Sequence, residues 1–153
     1  MIIAVDFDGT CVTHEYPRMG KDIGAVPILK ELVKNGHQLV LFTMRSDMEP
    51  TARRQGEESN LEIRNYLTDA IDWFRQHEIP LYGIQTNPTQ HTWTTSPKAY
   101  AQLYIDDAAL GCPLLYENMN DGDSSHRQGG RPYVNWVKVK EMLVDKGIIN
   151  VED

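Results

Sequence analysis

The chain has 153 residues, of which 41% are hydrophobic and 24% are charged, so its composition predicts a single soluble globular domain over residues 1–153. Its 15 basic and 22 acidic residues give a net charge of −7, which argues against general binding to nucleic acid or to anionic membranes. No apolar run reaches the roughly 20 residues of a membrane-spanning helix, and the first residues lack a signal-peptide pattern. Cys11 and Cys112 have neither metal-ligand nor disulfide spacing, which favours a cytoplasmic protein with reduced thiols.

The first segment of the chain predicts a buried strand that ends at two carboxylates. The apolar residues 2–5 run directly into Asp6 and Asp8, and Gly9 follows. An uninterrupted apolar run is typical of a parallel strand that is covered on both faces. In open α/β sheets, ligands bind beyond the carboxyl ends of the strands, where these two carboxylates would lie. An apolar strand followed by an ordinary acidic turn is the alternative interpretation.

The rest of the chain alternates between helical and strand patterns. The predicted helices run from Pro27 to Gly36, from an N-cap at Asn60 to about residue 77, and from an N-cap at Asn135 to Gly147. Further strands are predicted at residues 37–43, 81–84 and 102–105, with a fifth at 112–116. Residues 11–26, 46–59, 86–97 and 117–132 have loop composition.

This alternation predicts an α/β fold, namely a three-layer Rossmann-like parallel sheet with flanking helices. Strands joined through helices form right-handed crossovers, so the carboxyl ends of all the strands meet at one edge of the sheet. The polar residues expected at that edge are Asp6, Asp8, Thr43, Asp106 and Asp107.

Four carboxylates gathered at one edge predict a cation site. Two bare carboxylates about 4 Å apart repel each other by roughly 4 kcal/mol at an effective dielectric constant of about 20. The four carboxylates can therefore lie close together only if one of them is protonated or a cation binds among them. Oxygen ligands without a Cys or His partner favour Mg²⁺, which also accepts substrate phosphate oxygens. Lys98, eight residues before Asp106, can add a fixed positive charge.

Four motifs, in this order along the chain, resemble those of the haloacid dehalogenase (HAD) superfamily of phosphohydrolases. The segment Asp6-Phe7-Asp8-Gly9-Thr10 matches the DxDGT signature, and Leu41-Phe42-Thr43 matches a strand that ends in Thr or Ser. Lys98 matches the lysine ahead of the last catalytic strand, and Ile105-Asp106-Asp107 matches the acidic pair. The match spans residues 2–111. It implies a HAD-like fold, and the short intervals between the motifs leave no room for a folded cap domain.

The resemblance also implies a role for each matching residue. Asp6 is expected to be the nucleophile that forms an aspartyl-phosphate, and Asp8 the general acid and base. Thr43 and Lys98 are expected to hold the phosphoryl oxygens. The expected Mg²⁺ ligands are Asp6, the Asp8 carbonyl and Asp106, with Asp107 acting through water or as a support.

The function that follows is a cytoplasmic, magnesium-dependent phosphatase of phosphoric monoesters. One alternative is a phosphate-binding or scaffold protein of the same fold that lacks turnover. Another is a phosphatase of nucleic acid ends or phosphoproteins, which the acidic net charge does not favour. A capless site makes a homo-oligomer plausible, since another subunit can cover it. Arg45 is a candidate for binding a substrate anion, with a surface ion pair as the alternative. The five histidines show no ligand spacing.

Overall fold

The computed structural model describes residues 1–50, 63–116 and 131–150. In chain order, its elements are β1 (Ile2–Val5), α1 (Ala25–Lys34), β2 (Gln38–Leu41), β3 (Glu49–Pro50), β4 (Ile63–Arg64), α2 (Tyr66–Gln76), β5 (Gly83–Ile84), a 3₁₀ turn (Gln90–Thr92), β6 (Leu103–Ile105), β7 (Leu114–Leu115), β8 (Tyr133–Val134) and α3 (Trp136–Asp145). None of the described helices is long and apolar enough to cross a membrane.

The centre of the fold is a four-stranded parallel sheet with strand order β5-β2-β1-β6. The β1 strand therefore lies between two neighbours, with Val5 opposite Leu41 on one side and Ile105 on the other. Since all four strands run in the same direction, their carboxyl ends lie at one edge. The predicted α/β class with a Rossmann-like parallel sheet is confirmed.

One face of this sheet carries the hydrophobic core. Alternate residues of a strand share a face, and Ile3, Val5, Leu39 and Leu41 all belong to one buried cluster. All three helices contribute to the same cluster; their buried members are Ala25, Ile28, Leu29, Leu32, Ala70, Trp73, Phe74, Trp136, Val139 and Leu143. The helices therefore form one layer on one side of the sheet.

The opposite face of the sheet is covered by the connection between β5 and β6, which contains only a 3₁₀ turn. The buried side chain of Gln90 holds this connection together, because its Oε1 accepts hydrogen bonds from the N–H groups of Asn87 (3.0 Å) and Tyr100 (2.9 Å). The hydroxyl of Tyr104 on β6 donates to the carbonyl of Ala99 (2.6 Å). Within residues 1–50, 63–116 and 131–150 the helices all lie on the other face, so a helical layer on this face, as three layers with flanking helices would have, is not seen among them. The Thr- and Pro-rich sequence of the connection does not favour a helix.

Two predicted helix starts lie elsewhere in the structure. The α1 helix begins two residues before Pro27, which occupies its first turn, where proline is tolerated. The α2 helix follows Asn65; Asn60, the predicted N-cap, lies outside the described residues. The short strands β3 and β4 pair antiparallel ahead of α2, so part of the segment 46–59 that was predicted to be a loop forms a strand.

The predicted fifth strand also needs correction. The β7 strand pairs antiparallel with β8 in a separate two-stranded ribbon and does not join the parallel sheet. The β8 strand was not predicted, because its two residues directly follow a polar, Gly-rich segment. The α3 helix agrees with its prediction, since the side chain of Asn135 accepts a hydrogen bond from the N–H of Lys138 (3.2 Å).

The Phe74→Ala substitution tests the one-sided core. Phe74 is buried on α2, with its ring centroid 6.2 Å from that of Phe7. Removal of the ring leaves a cavity between α2 and the sheet, so we expect the free energy of unfolding to fall by about 3–5 kcal/mol. Urea denaturation measures this change. The exposed Val137→Ala is the control, with an expected change of at most about 0.5 kcal/mol; similar losses in both variants would contradict the assignment.

Candidate active site

Asp6 lies directly after β1, in the middle of the carboxyl edge of the sheet. Its N–H donates to the carbonyl of Ile105 (3.0 Å), which keeps the ends of β1 and β6 side by side. The carbonyl of Phe7 then accepts from the N–H groups of Thr10 (3.0 Å) and Cys11 (2.7 Å). These bonds fold the chain back immediately after Asp6, so that the following residues return to the sheet edge.

Gly9 makes this reversal possible. Its φ of +81° is a conformation that other residues rarely adopt. A Cβ atom at this position would lie 2.0 Å from Nε2 of His14 and 2.7 Å from Oδ2 of Asp107. Glycine is therefore needed both for the backbone conformation and for the close approach of these two side chains.

Three of the predicted metal ligands meet at this edge. Asp6, Asp106 and Asp107 each offer one carboxylate oxygen, and these oxygens all lie within 4.8 Å of one another. All three residues are partly buried. We call these three residues the acidic cluster. The carboxylate of Asp8 does not belong to it.

Thr10 and His14 hold the acidic cluster in place. The buried Thr10 hydroxyl lies 3.0 Å from Oδ2 of Asp6 and 3.2 Å from Oδ1 of Asp107, and it accepts a hydrogen bond from the Asp107 N–H (3.0 Å). Nε2 of His14 lies 2.9 Å from Oδ2 of Asp107. No ligand spacing marked His14 in the sequence, because it reaches the cluster only through the chain reversal at Gly9.

Protonation of Asp6 relieves the repulsion within the acidic cluster. Burial, a hydrogen bond to Asp107 and the charge of Asp106 raise the pKa of Asp6 to about 8. Burial acts on Asp107 as well, but hydrogen bonds from His14 and Asp6 lower the pKa of Asp107 below its usual range. At neutral pH the proton therefore lies on Asp6, and a bound cation would take its place.

Asp8 is held apart from the cluster by Arg45. Nε and Nη2 of Arg45 donate to the two carboxylate oxygens of Asp8, at 2.7 and 2.8 Å. The guanidinium is buried, and its remaining N–H groups donate to the carbonyls of Pro17 (3.4 Å), Tyr66 (3.3 Å) and Arg18 (2.9 Å).

The prediction that Arg45 binds a substrate anion is therefore corrected. All five of its N–H groups are directed at protein acceptors, and only 1% of its surface is exposed. Arg45 forms a bidentate ion pair with Asp8, and this pair is buried where the alternative interpretation expected a surface ion pair. Its partner Asp8 lies 37 residues away in the sequence, so no local pattern indicated the contact.

Thr43 lies just beyond the end of β2, and the side chain of Gln85 fixes the backbone there through hydrogen bonds. Its N–H donates to Oε1 of Gln85 (2.8 Å), and Nε2 of Gln85 donates to the carbonyls of Thr43 (2.6 Å) and Arg45 (3.0 Å). The Thr43 hydroxyl oxygen accepts from the Arg45 N–H (3.1 Å). Gln85 was not singled out in the sequence, because a lone glutamine in a polar loop carries no signal.

Lys98 lies on the face of the sheet that the β5–β6 connection covers. Its ammonium nitrogen is 5.5 Å from the centroid of the Tyr104 ring. Within the described part of the chain, Lys98 forms no ion pair with the acidic cluster. Its role as a phosphate-binding residue stays a prediction, as does that of Thr43.

The protonation of Asp6 predicts how stability depends on pH without metal. Because the folded-state pKa of Asp6 lies above the unfolded value of 3.8, the stability that this proton contributes is complete below about pH 4 and is lost as pH rises through about 8. Asp6→Asn removes this loss. As pH rises, the free energy of unfolding of Asp6→Asn should therefore increase relative to that of the wild type, by up to about 1.4 kcal/mol per pH unit.

Urea denaturation in a chelator at about pH 5, 6 and 7 measures this gain. Asp69→Asn removes the same charge from the exposed surface of α2 and is the control. If the difference in free energy of unfolding between Asp6→Asn and wild type does not change with pH, the assignment of a proton to Asp6 is contradicted.

Comparison with known proteins adds a structural relative. Neither a scan against models of protein families nor a search of curated proteins gives a match. A solved structure from Bacteroides thetaiotaomicron, described as a conserved protein coded by a locus of that organism, is similar to this chain with a TM-score of 0.62 and 33% sequence identity. The similarity covers 95% of this chain and 91% of that one. The chain therefore belongs to the same family as this conserved Bacteroides thetaiotaomicron protein.

Proposed function

We propose that the protein is a magnesium-dependent phosphatase that hydrolyses phosphate monoesters through an aspartyl-phosphate on Asp6. One observation carries the proposal: Asp6 at the end of the central strand shares the acidic cluster with Asp106 and Asp107, while Asp8, two residues away, is oriented separately by Arg45. This arrangement, together with the order of the motifs, also supports a HAD-like version of the Rossmann-like fold.

The residues of the cluster fit Mg²⁺. The donor set consists of carboxylate oxygens, which this cation prefers, and the raised pKa of Asp6 supports a site in which one negative charge is neutralised. Asp6, Asp106 and the Asp8 carbonyl are the proposed ligands. Both oxygens of Asp107 already lie near Thr10 and His14, which suits a contact through water or a supporting role. When bound, Mg²⁺ would offset the negative charge of the substrate phosphoryl group.

The protein's own groups would then carry out the hydrolysis in two steps. The Asp6 carboxylate attacks phosphorus, the bond between phosphorus and the ester oxygen breaks, and Asp8 gives a proton to the departing alcohol. In the second step, Asp8 takes a proton from water as the water oxygen attacks phosphorus. The bond from phosphorus to Asp6 breaks, which releases phosphate and restores the Asp6 carboxylate.

Asp8 must face the ester oxygen in the first step and the water in the second. The two parallel hydrogen bonds from Arg45 restrict how the carboxylate can turn, and the guanidinium itself lies over the rings of Phe7 (5.1 Å) and Tyr16 (5.3 Å). We assign Arg45 as a positioning residue for Asp8. Thr43 and Lys98 are the proposed contacts of the phosphoryl oxygens.

Asp6→Asn tests the proposed nucleophile. Asparagine is nearly isosteric with aspartate but cannot form the acyl phosphate, so we expect release of phosphate from an aryl phosphate to fall by at least about 1,000-fold. Wild-type turnover should require Mg²⁺ and stop in a chelator.

The control for this experiment is Asp69→Asn, which should retain wild-type turnover. A folded Asp6→Asn protein with full activity would refute the assignment of the nucleophile. A wild-type protein that binds Mg²⁺ and phosphate but releases none from any ester would favour the binding or scaffold alternative.

Arg45→Lys tests the positioning role. Lysine keeps the positive charge but cannot make two parallel bonds to Asp8, so kcat should fall by at least about tenfold. KM and the affinity for Mg²⁺ should change little, because Arg45 does not contact the acidic cluster in the described structure.

The matched control is Arg75→Lys, which makes the same exchange at an exposed ion pair on α2. Circular dichroism would establish that Arg45→Lys is folded, since the substitution also weakens three contacts to backbone carbonyls. If a folded Arg45→Lys protein has the same kcat as the wild type, the role of Arg45 in positioning Asp8 is refuted.

A further inference from the structure

We propose that Gln85 is a positioning residue, which holds the loop after β2 in the shape that binds the phosphoryl group of the substrate. This inference rests on the proposed phosphatase function and adds a residue that belongs to none of the four motifs. Gln85 follows β5, whereas Thr43 and Arg45 follow β2, the neighbouring strand of the sheet. In the described structure Gln85 forms no hydrogen bond with the acidic cluster or with Asp8, so its effect on the site would be transmitted by the loop.

The side-chain amide of Gln85 matches three backbone groups of this loop. Its Oε1 accepts a hydrogen bond from the N–H of Thr43 (2.8 Å), and its Nε2 donates to the carbonyls of Thr43 (2.6 Å) and Arg45 (3.0 Å). One acceptor and two donors on a single planar group are available only from the amide of Asn or Gln. The loop is thus fixed at residues 43 and 45 by a side chain that comes from another strand.

The backbone of Gln85 adopts a conformation that glutamine rarely takes. Its φ is +65°, in the left-handed region that favours glycine. The N–H of Gln85 donates to the carbonyl of Leu41 (2.7 Å), so the main chain and the side chain both tie this residue to the end of β2. A turn that served the backbone alone would be more stable with glycine at this position. The glutamine is therefore best explained by what its side chain does for residues 43 and 45.

The loop that Gln85 fixes carries two groups of the proposed site. The hydroxyl oxygen of Thr43 accepts from the Arg45 N–H (3.1 Å), and among the described residues its O–H has no acceptor. That O–H can therefore donate to a phosphoryl oxygen. The guanidinium of Arg45 orients Asp8 through bonds of 2.7 and 2.8 Å. A shift of the loop backbone would move both the phosphate contact and the partner of the proposed general acid.

Gln85→Glu tests this role with almost no change in side-chain size. The carboxylate can still accept from the Thr43 N–H, but it faces two carbonyls without a proton to donate. We expect kcat/KM for an aryl phosphate to fall at least about tenfold, and the inhibition constant of inorganic phosphate to rise by a similar factor. The Mg²⁺ concentration for half-maximal activity should not change, because the acidic cluster lies at the ends of β1 and β6.

Gln85→Gly is the second variant, because glycine suits the left-handed backbone and keeps the risk of misfolding low. It removes the amide entirely, so the same losses of kcat/KM and of phosphate affinity are expected. Each variant has a matched control. Gln76→Glu makes the same exchange at an exposed position on α2, and Glu78→Gly does so at an exposed residue with a φ of +57°. Both controls should keep the wild-type values.

Calorimetric titration with inorganic phosphate in Mg²⁺ measures the same site without turnover. A purely structural role would lower the urea midpoint of the variants but leave the folded protein with the wild-type affinity for phosphate. That result would overturn the role of Gln85 and leave the phosphatase function standing. Phosphate binding without turnover of any ester, weakened in both variants, would support the role and overturn the phosphatase function. A wild type that neither turns over an ester nor binds phosphate would overturn both.

Discussion

Repulsion among three carboxylates is the constraint on which the site depends. One carboxylate oxygen from each of Asp6, Asp106 and Asp107 lies within 4.8 Å of the other two, in partly buried positions where water screens the charges less than on the surface. The fold holds them there by pairing β1 with β6 and by reversing the chain at Gly9. A proton on Asp6 makes this arrangement tolerable, and a divalent cation would do so more completely. The same constraint thus links the stability of the fold to the chemistry that we propose.

A second constraint is the burial of a charged guanidinium. All of the side-chain donors of Arg45 are satisfied, with Asp8 and three backbone carbonyls as acceptors, and the guanidinium lies over two aromatic rings. A buried charge of this kind is costly unless its partners are well placed. The segment that carries Tyr16 and the loop after β2 must therefore keep their positions around Asp8. Arg45 thus fixes both segments around the carboxylate that we propose as the general acid.

The two faces of the sheet are shielded from water in different ways. One face packs against three helices through apolar side chains, whereas the other is covered by a connection that Asn87 and Gln90 hold together with hydrogen bonds. Both of these amide side chains are buried, and both have hydrogen-bond partners, as buried polar groups require. A short, polar connection can therefore replace a helical layer over a small sheet.

The local sequence alone determined the strand at residues 2–5, the α3 helix with its Asn135 cap, and the arrival of Asp6, Asp106 and Asp107 at one edge. Periodicity and parallel topology suffice for these features, because each depends on neighbouring residues or on strand direction. Only the tertiary structure decided that Arg45 pairs with Asp8, that His14 contacts Asp107, that β7 pairs with β8, and that the helices share one face. These features arise from contacts between residues far apart in the chain, where burial and the need to satisfy every polar group select partners that no local pattern specifies.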